Sequence, residues 1–157
     1  MITAVDTNII LDVLIPGDPF SRSSKEFLEK QFSKGKLIIC EVVFAELAAH
    51  FPSEPELKTF LAETGIRLEY SSPKSLYIAG TRWGKYSGKI KKDGVSCPQC
   101  GQRFPVACPQ CHKTLTRRLH VLADFLIGAH ALDIADCLLT RDLGIYKTYF
   151  KDLKIVP

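Results

Sequence analysis

The sequence has no uninterrupted apolar run long enough to cross a membrane. About 18 consecutive apolar residues are needed, and the most apolar stretch, residues 121–139, is interrupted by Asp124, Asp133 and Asp136. The N-terminus begins Met-Ile-Thr-Ala-Val-Asp and has neither the basic segment nor the small-residue cleavage site of a secretory signal. We therefore expect a cytoplasmic protein with no membrane partner.

Tryptophan occurs once, at Trp83, and we interpret it as a buried anchor rather than a platform for stacking bases. The 157 residues are 46% hydrophobic and 24% charged. This composition is too apolar for a chain that stays disordered, and the length suits one domain with one core.

Acidic residues are nearly absent from residues 74–118, which hold ten lysines and arginines against Asp93 alone, a net charge of +9. Because the whole chain carries only +4, the remainder is acidic. A basic block beside an acidic body predicts a polyanionic partner for this segment, and the alternative is a solubilising surface.

Short apolar segments alternate with segments of helical periodicity. This alternation predicts an α/β fold with a parallel sheet covered by helices on both faces. In such sheets, functional residues collect beyond the carboxyl ends of the strands, and Asp6 and Asp142 both follow predicted strands. We predict strands over residues 2–5, 37–40, 66–70, 137–140 and 153–156.

Residues 84–116 break the alternation, because they are rich in Gly, Lys and Cys and lack a continuous apolar period. Two Cys-Pro-Gln-Cys motifs within them predict a tetrahedral zinc site that is structural, since four protein ligands leave no open position. The alternatives, disulfides or a redox pair, fit a cytoplasmic chain with a doubled motif poorly. We expect His112 to adopt a left-handed conformation or to replace a ligand. The predicted zinc ligands are Cys97, Cys100, Cys108 and Cys111.

Four carboxylates stand among core-forming residues or directly after strands: Asp6, Glu46, Asp124 and Asp142. Buried charges are costly unless they are paired. If the four converge, a hard cation such as Mg²⁺ or Mn²⁺ would relieve their repulsion and activate water for phosphodiester hydrolysis. Taken singly, each has another explanation: a helix cap, a solvated helix edge or a lysine partner. We interpret four further acids near turns or helix ends as solvated, namely Asp12, Asp18, Asp133 and Asp136.

The acids and their neighbours occur in four segments that resemble the acidic motifs of PIN-domain nucleases, with the greatest likeness to VapC-type toxins of bacterial toxin–antitoxin systems. These segments are residues 5–12, 43–47, 122–131 and 138–142. The resemblance extends over the chain apart from the cysteine segment. It divides the chain into a PIN-like catalytic domain, residues 1–90 and 117–157, and an inserted zinc ribbon, residues 91–116.

The resemblance implies a three-layer α/β/α sandwich and metal-dependent endonucleolytic cleavage of RNA. Asp6, Glu46, Asp124 and Asp142 would hold Mg²⁺ or Mn²⁺, with Thr7 and Thr140 as supporting residues. It also implies a homodimer silenced by an antitoxin protein. The residues expected to hold RNA phosphates are Arg82, Lys85, Lys89, Lys91, Lys92, Arg117 and Arg118.

Two other functions remain open from the sequence. The ribbon and basic block could form a nucleic-acid-binding module on a catalytically silent scaffold, or the nuclease could have a housekeeping role in RNA processing. The ribbon itself could contribute to RNA specificity, or only to stability and protein contacts.

Overall fold

The computed structural model describes residues 1–89, 95–96, 103–104, 107, 109–110, 112 and 122–156. Within them, five strands form one sheet and two form a small antiparallel pair. The five are β1 (Ile2–Val5), β2 (Lys36–Ile39), β3 (Ile66–Leu68), β6 (Cys137–Leu139) and β7 (Ile155–Val156). The two are β4 (Val95–Ser96) and β5 (Arg103–Phe104).

The five-stranded sheet is entirely parallel, in the order β3-β2-β1-β6-β7. The strand β1 lies at the centre, where Thr3 is in register with Leu37 on one side and Cys137 on the other. The order reverses between β1 and β6. In open α/β sheets, this reversal opens a crevice at the carboxyl ends of the two strands, where ligands bind.

Helices fill every crossover of this sheet. They are α1 (Thr7–Leu14), α2 (Ser21–Phe32), α3 (Glu41–Ala48), α4 (Glu54–Glu63), α5 (Pro73–Lys89), α6 (Leu122–Ile134) and α7 (Gly144–Tyr149). Because crossovers between parallel strands are right-handed, the helices before β3 and those after it cover opposite faces. None of the helices in the described ranges is both long and apolar enough to cross a membrane.

The helix α6 is the central element of its layer. It is apolar around most of its circumference, with Phe125 and the segment 127–131 buried. A Cβ atom added at Gly128 would lie 3.0 Å from the rings of both Tyr146 and Phe150. The absence of a side chain there lets α7 approach α6 closely, which brings Tyr146 to the crevice between β1 and β6.

The predicted parallel sheet and its helical layers are confirmed. Gly65 follows the end of α4 in the left-handed region, at φ +68°, which lets the chain turn into β3. The prediction that regular structure breaks off at residue 84 is wrong, because α5 continues to Lys89 and Tyr86 packs on Phe125 at 5.4 Å between ring centroids. Trp83 is half-buried and packs against the core.

Candidate active site

Asp6 lies at the floor of the crevice, directly after β1. Its backbone N–H donates to the carbonyl of Leu139 at 3.0 Å, and the residue is only 5% exposed. Its Oδ2 accepts hydrogen bonds from the hydroxyl of Thr140 at 2.6 Å, from Nδ2 of Asn8 at 2.8 Å and from the hydroxyl of Tyr146 at 3.3 Å. Three donors on one oxygen fix the orientation of this carboxylate.

The surroundings of Asp6 shift two pKa values. Burial raises the pKa of Asp6 above its usual range, and the charge of Glu46 raises it further, although the hydroxyls of Thr140 and Tyr146 oppose the shift. Burial and the neighbouring charge of Asp6 also raise the pKa of Tyr146. Tyr146 therefore remains a protonated phenol that donates to Asp6.

Thr140 connects Asp6 to the loop that follows β6. The hydroxyl that donates to Asp6 also accepts from Nδ2 of Asn8 and from the backbone N–H of Asp142, both at 3.0 Å. Asp142 is exposed, and its Oδ1 accepts from the N–H of Gly144, the first residue of α7, at 2.8 Å. Asn8 holds the same loop, because its Oδ1 accepts from the N–H of Arg141 at 3.2 Å.

Glu46 lies on the exposed side of α3, although its sequence neighbours are apolar. Val43 and Leu47 occupy the buried face of that helix, and Glu46 lies outside that face, at the rim of the crevice. Its Oε2 accepts a hydrogen bond from the hydroxyl of Thr7, the first residue of α1. The two residues join the rim to the end of β1.

Asp124 lies in the first turn of α6, where the charges of all three other acids affect its pKa. Its carboxyl is half-buried, and burial is the largest cause of a pKa raised to about 6 from the usual 3.8. The charges of Asp6, Asp142 and Glu46 each raise it further, in that order. Four carboxylates from four separate elements therefore share one electrostatic environment at the point where the sheet order reverses.

The donor set fits a hard divalent cation, since carboxylate oxygens are the ligands that Mg²⁺ and Mn²⁺ prefer. Among the residues that the structure describes, no three Asp, Glu, His or Cys side chains lie close enough together to hold a metal ion. Because Glu46 and Asp142 are exposed, their side chains have rotamers with which to turn inward. Asp6 and Asp124 form the more buried part of the same cluster.

Asp12 is buried rather than solvated, so the interpretation from sequence is wrong for this residue. It is 3% exposed, and it accepts hydrogen bonds from the hydroxyl of Ser24 and, through Oδ2, from Nε of Arg141 at 2.6 Å. The guanidinium of Arg141 also lies 4.0 Å from the ring centroid of Phe20. This ion pair fastens the loop that carries Thr140 and Asp142 to α1.

Asp133 is also enclosed rather than solvated. Its side chain is 8% exposed and accepts hydrogen bonds from Ser72 at 2.6 Å and Ser75 at 2.9 Å, beside an ion pair with Lys74 at 2.7 Å. These contacts hold the pKa of Asp133 down at about 2 and join α6 to the start of α5.

We expect Arg141→Gln to lower the free energy of unfolding by about 2 kcal/mol, because Asp12 would remain buried without its charged partner. Arg141 is one-third exposed, so the loss should be smaller than for a fully enclosed pair. Urea denaturation measures it against Arg22→Gln, which removes an exposed ion pair with Glu26 and should change little. Equal stabilities of the two variants would contradict this role.

Of the predicted RNA-binding residues, α5 carries the first three. Arg82 makes a bidentate ion pair with Asp152, at 2.8 and 2.7 Å, and donates to the carbonyl of Tyr149 at 2.8 Å. Lys85 is exposed, and Lys89 is the last residue of the helix. The remaining four lie outside the described residues: Lys91, Lys92, Arg117 and Arg118.

The four cysteines of the predicted zinc site, Cys97, Cys100, Cys108 and Cys111, also lie outside the described residues. Two neighbouring features are described. Val95 pairs with Phe104 in the antiparallel β4–β5 pair, and His112 has a φ of +55°, the left-handed conformation predicted for it.

Sequence reasoning missed Asn8 and Tyr146 as parts of the site. Asn8 is two residues after Asp6 at the start of α1, where an amide can reach back to the strand end. Tyr146 lies four residues after Asp142 in α7, a helix that was not predicted. The only available signal was this spacing from the two acids.

Part of the chain is similar to a known protein family. Residues 3–77 match the model of the PIN domain, and these include Asp6 and Glu46. No curated protein has a significant sequence match to the chain.

Similar solved structures cover almost the whole chain. VapBC2 from Rickettsia felis, bound to a DNA fragment from its promoter, has a TM-score of 0.60 at 19% identity, over 99% of this chain and 98% of that chain. VapBC-1 from nontypeable Haemophilus influenzae has a TM-score of 0.60 at 17% identity, over 99% of this chain and 97% of that chain. FitAcB from Neisseria gonorrhoeae has a TM-score of 0.58 at 17% identity, over 100% of this chain and 97% of that chain. The chain therefore has a PIN-like fold, with a PIN domain match over residues 3–77.

Proposed function

We propose that the chain is a divalent-metal-dependent endoribonuclease in which Asp6, Glu46, Asp124 and Asp142 hold Mg²⁺ or Mn²⁺. The observation that carries the proposal is the placement of four acids around the reversal of the strand order between β1 and β6, where Thr140 connects Asp6 to Asp142. Burial and the charges of the other three acids raise the pKa of Asp124 there, which agrees with this placement. Clustered carboxylates with perturbed pKa values in a crevice are typical of functional sites. The PIN domain match supports a nuclease, because its range includes two of the four acids.

The residues divide between a fixed floor and an open rim. Asn8, Thr140 and Tyr146 orient Asp6, so that one of its oxygens has a constant position. Glu46 and Asp142 are exposed, which leaves the crevice accessible to a polymer from outside. A bound divalent cation would lower the pKa of a water molecule and neutralise charge on the scissile phosphodiester. Thr7 holds Glu46 at the rim as a supporting residue.

The same proposal includes a protein partner. The similar structures are VapBC and FitAcB assemblies, and the acidic motifs resemble those of VapC-type toxins. We therefore propose that the chain is the toxin of a type II toxin–antitoxin pair, acting in the cytoplasm as a homodimer that an antitoxin silences.

We further propose that residues 91–116 form a zinc ribbon inserted into the catalytic domain of residues 1–90 and 117–157. In this proposal, the ribbon binds RNA together with the basic residues beside it. Replacing residues 91–116 with a Gly/Ser linker should remove bound zinc and lower RNA affinity. Zinc analysis and a binding titration measure these effects. If zinc is lost while affinity and cleavage pattern stay the same, the ribbon has only a structural role.

The test of the proposed function is cleavage of a single-stranded oligoribonucleotide and of the oligodeoxyribonucleotide of the same sequence. We expect internal cleavage of the RNA with Mg²⁺ or Mn²⁺, and none with EDTA. If the chain binds the oligonucleotides in a salt-sensitive way but cleaves neither of them with Mg²⁺, with Mn²⁺ or with EDTA, the result would instead favour a nucleic-acid-binding module. Cleavage in EDTA equal to that with metal would contradict the metal site.

A further inference from the structure

A groove of about 400 Å³ opens beside the acids, next to β6 and β7. Thr140, whose hydroxyl donates to Asp6, is one of its lining residues. The groove and the candidate active site therefore share Thr140, and a polymer cut at the acids has this neighbouring groove to extend into. The other lining residues are Arg141, Leu143, Lys147 and Ile155.

Lys147 is the cation of this groove that is available to a ligand. The guanidinium of Arg141 is held by Asp12 and lies over the ring of Phe20. Lys147 is exposed, and it forms no salt bridge with any residue that the structure describes. The charge that complements a phosphate in this groove therefore comes from α7.

Leu143 provides an apolar surface directly beside that charge. The backbone N–H of Lys147 donates to the carbonyl of Leu143 at 3.1 Å, so the two residues lie one helical turn apart on the same face. Leu143 is 42% exposed, so its side chain is accessible to a ligand in the groove. Ile155, at the start of β7, extends the apolar surface of the groove.

We propose that this groove is a nucleotide subsite of the proposed ribonuclease, on which the inference rests. Lys147 binds the phosphate next to the scissile one, and Leu143 with Ile155 packs against the base or sugar of that nucleotide. Proteins bind single strands by this combination of cations for phosphates and apolar surfaces for bases. The subsite fixes the register of the strand relative to the four acids.

The test is the salt dependence of RNA binding in EDTA, with a fluorescein-labelled single-stranded oligoribonucleotide followed by anisotropy. Loss of one phosphate contact should reduce the slope of log affinity against log salt by about 0.7 for a single strand. We expect this reduction for Lys147→Gln, with affinity lowered about tenfold at low salt. Leu143→Ala should lower affinity and leave the slope unchanged, because it removes no charge.

The matched control is Lys151→Gln. Lys151 is an exposed lysine in the turn after α7 that does not line the groove, so its loss should change neither slope nor affinity. A slope for Lys147→Gln equal to that of the unsubstituted chain would overturn the subsite. An equal loss for Lys151→Gln would overturn it as well, since it would indicate a diffuse effect of charge.

Failure of this inference is distinguishable from failure of the proposed function. Binding is measured in EDTA, where the proposed cleavage does not occur, whereas the function is scored by metal-dependent cleavage. If the subsite is wrong, Lys147→Gln should cleave with the KM of the unsubstituted chain while cleavage still requires metal. If the proposed function is wrong, the unsubstituted chain cleaves no RNA, regardless of how its RNA affinity depends on salt.

Discussion

Asp6→Asn is expected to reduce RNA cleavage about a thousandfold, which corresponds to about 4 kcal/mol of lost transition-state stabilisation. Asp6 is the most buried of the four acids and the one whose position the structure fixes most closely. An amide at this position removes the negative charge that a divalent cation would meet. Its oxygen still accepts the hydrogen bond from Thr140, so the fold should be retained.

Single-turnover cleavage of a labelled oligoribonucleotide with Mn²⁺ measures the effect. Glu63→Gln is the matched control, because it also converts a carboxylate to an amide. Glu63 is exposed at the end of α4, just before β3 begins. It therefore lies near the amino-terminal ends of the strands, whereas the acids lie at their carboxyl ends. Full activity of Asp6→Asn in a folded protein would eliminate the four-acid mechanism.

The second large effect is on stability. In the absence of metal, the chain should become less stable as the pH rises from about 4 to about 6. The pKa of Asp124 is raised to about 6 in the folded state from the usual 3.8, so the folded state binds more protons than the unfolded state in this window. Stability then falls with rising pH. At about 1.4 kcal/mol for each pKa unit, the loss is at most about 3 kcal/mol, and solvent screening of this half-buried group reduces it.

Thermal unfolding in EDTA at pH 4.5 and pH 7.5 measures this loss. Asp124→Asn should flatten the difference between the two pH values and should raise Tm at pH 7.5, since it removes the repelled charge. Mn²⁺ should raise the Tm of the unsubstituted chain more at pH 7.5 than at pH 4.5, because protons compete with the cation. The prediction would be wrong if Asp124→Asn lowered Tm at pH 7.5 and kept the same pH dependence.

The position of two acids relative to the sheet could be predicted from sequence. Asp6 directly follows an apolar strand and Asp142 closely follows another, and the carboxyl ends of parallel strands meet at one edge. The direction of Glu46 could not be read in the same way. Its apolar neighbours are typical of a core helix, yet the helical period turns Glu46 away from the buried Val43 and Leu47.

The contacts that support the site depend on tertiary packing that short-range patterns do not contain. Asp12 and Arg141 are 129 residues apart in the chain, and Asp6 and Tyr146 are 140 apart. Asp12 resembles a solvated residue near the end of a helix, because nothing local identifies its partner. The short helix α7, with six residues, is defined by its packing on α6 through Gly128 rather than by a periodic apolar pattern.

The central claim is that four carboxylates from separate elements form one divalent cation site. Titration of the chain with Mn²⁺, followed by the electron paramagnetic resonance signal of the unbound ion, tests it without reference to any substrate. We expect the unsubstituted chain and Glu63→Gln to bind Mn²⁺ equally, and Asp6→Asn and Asp124→Asn each to bind it at least about tenfold more weakly. Equal Mn²⁺ affinity in all four proteins would contradict the shared site and, with it, the proposed mechanism.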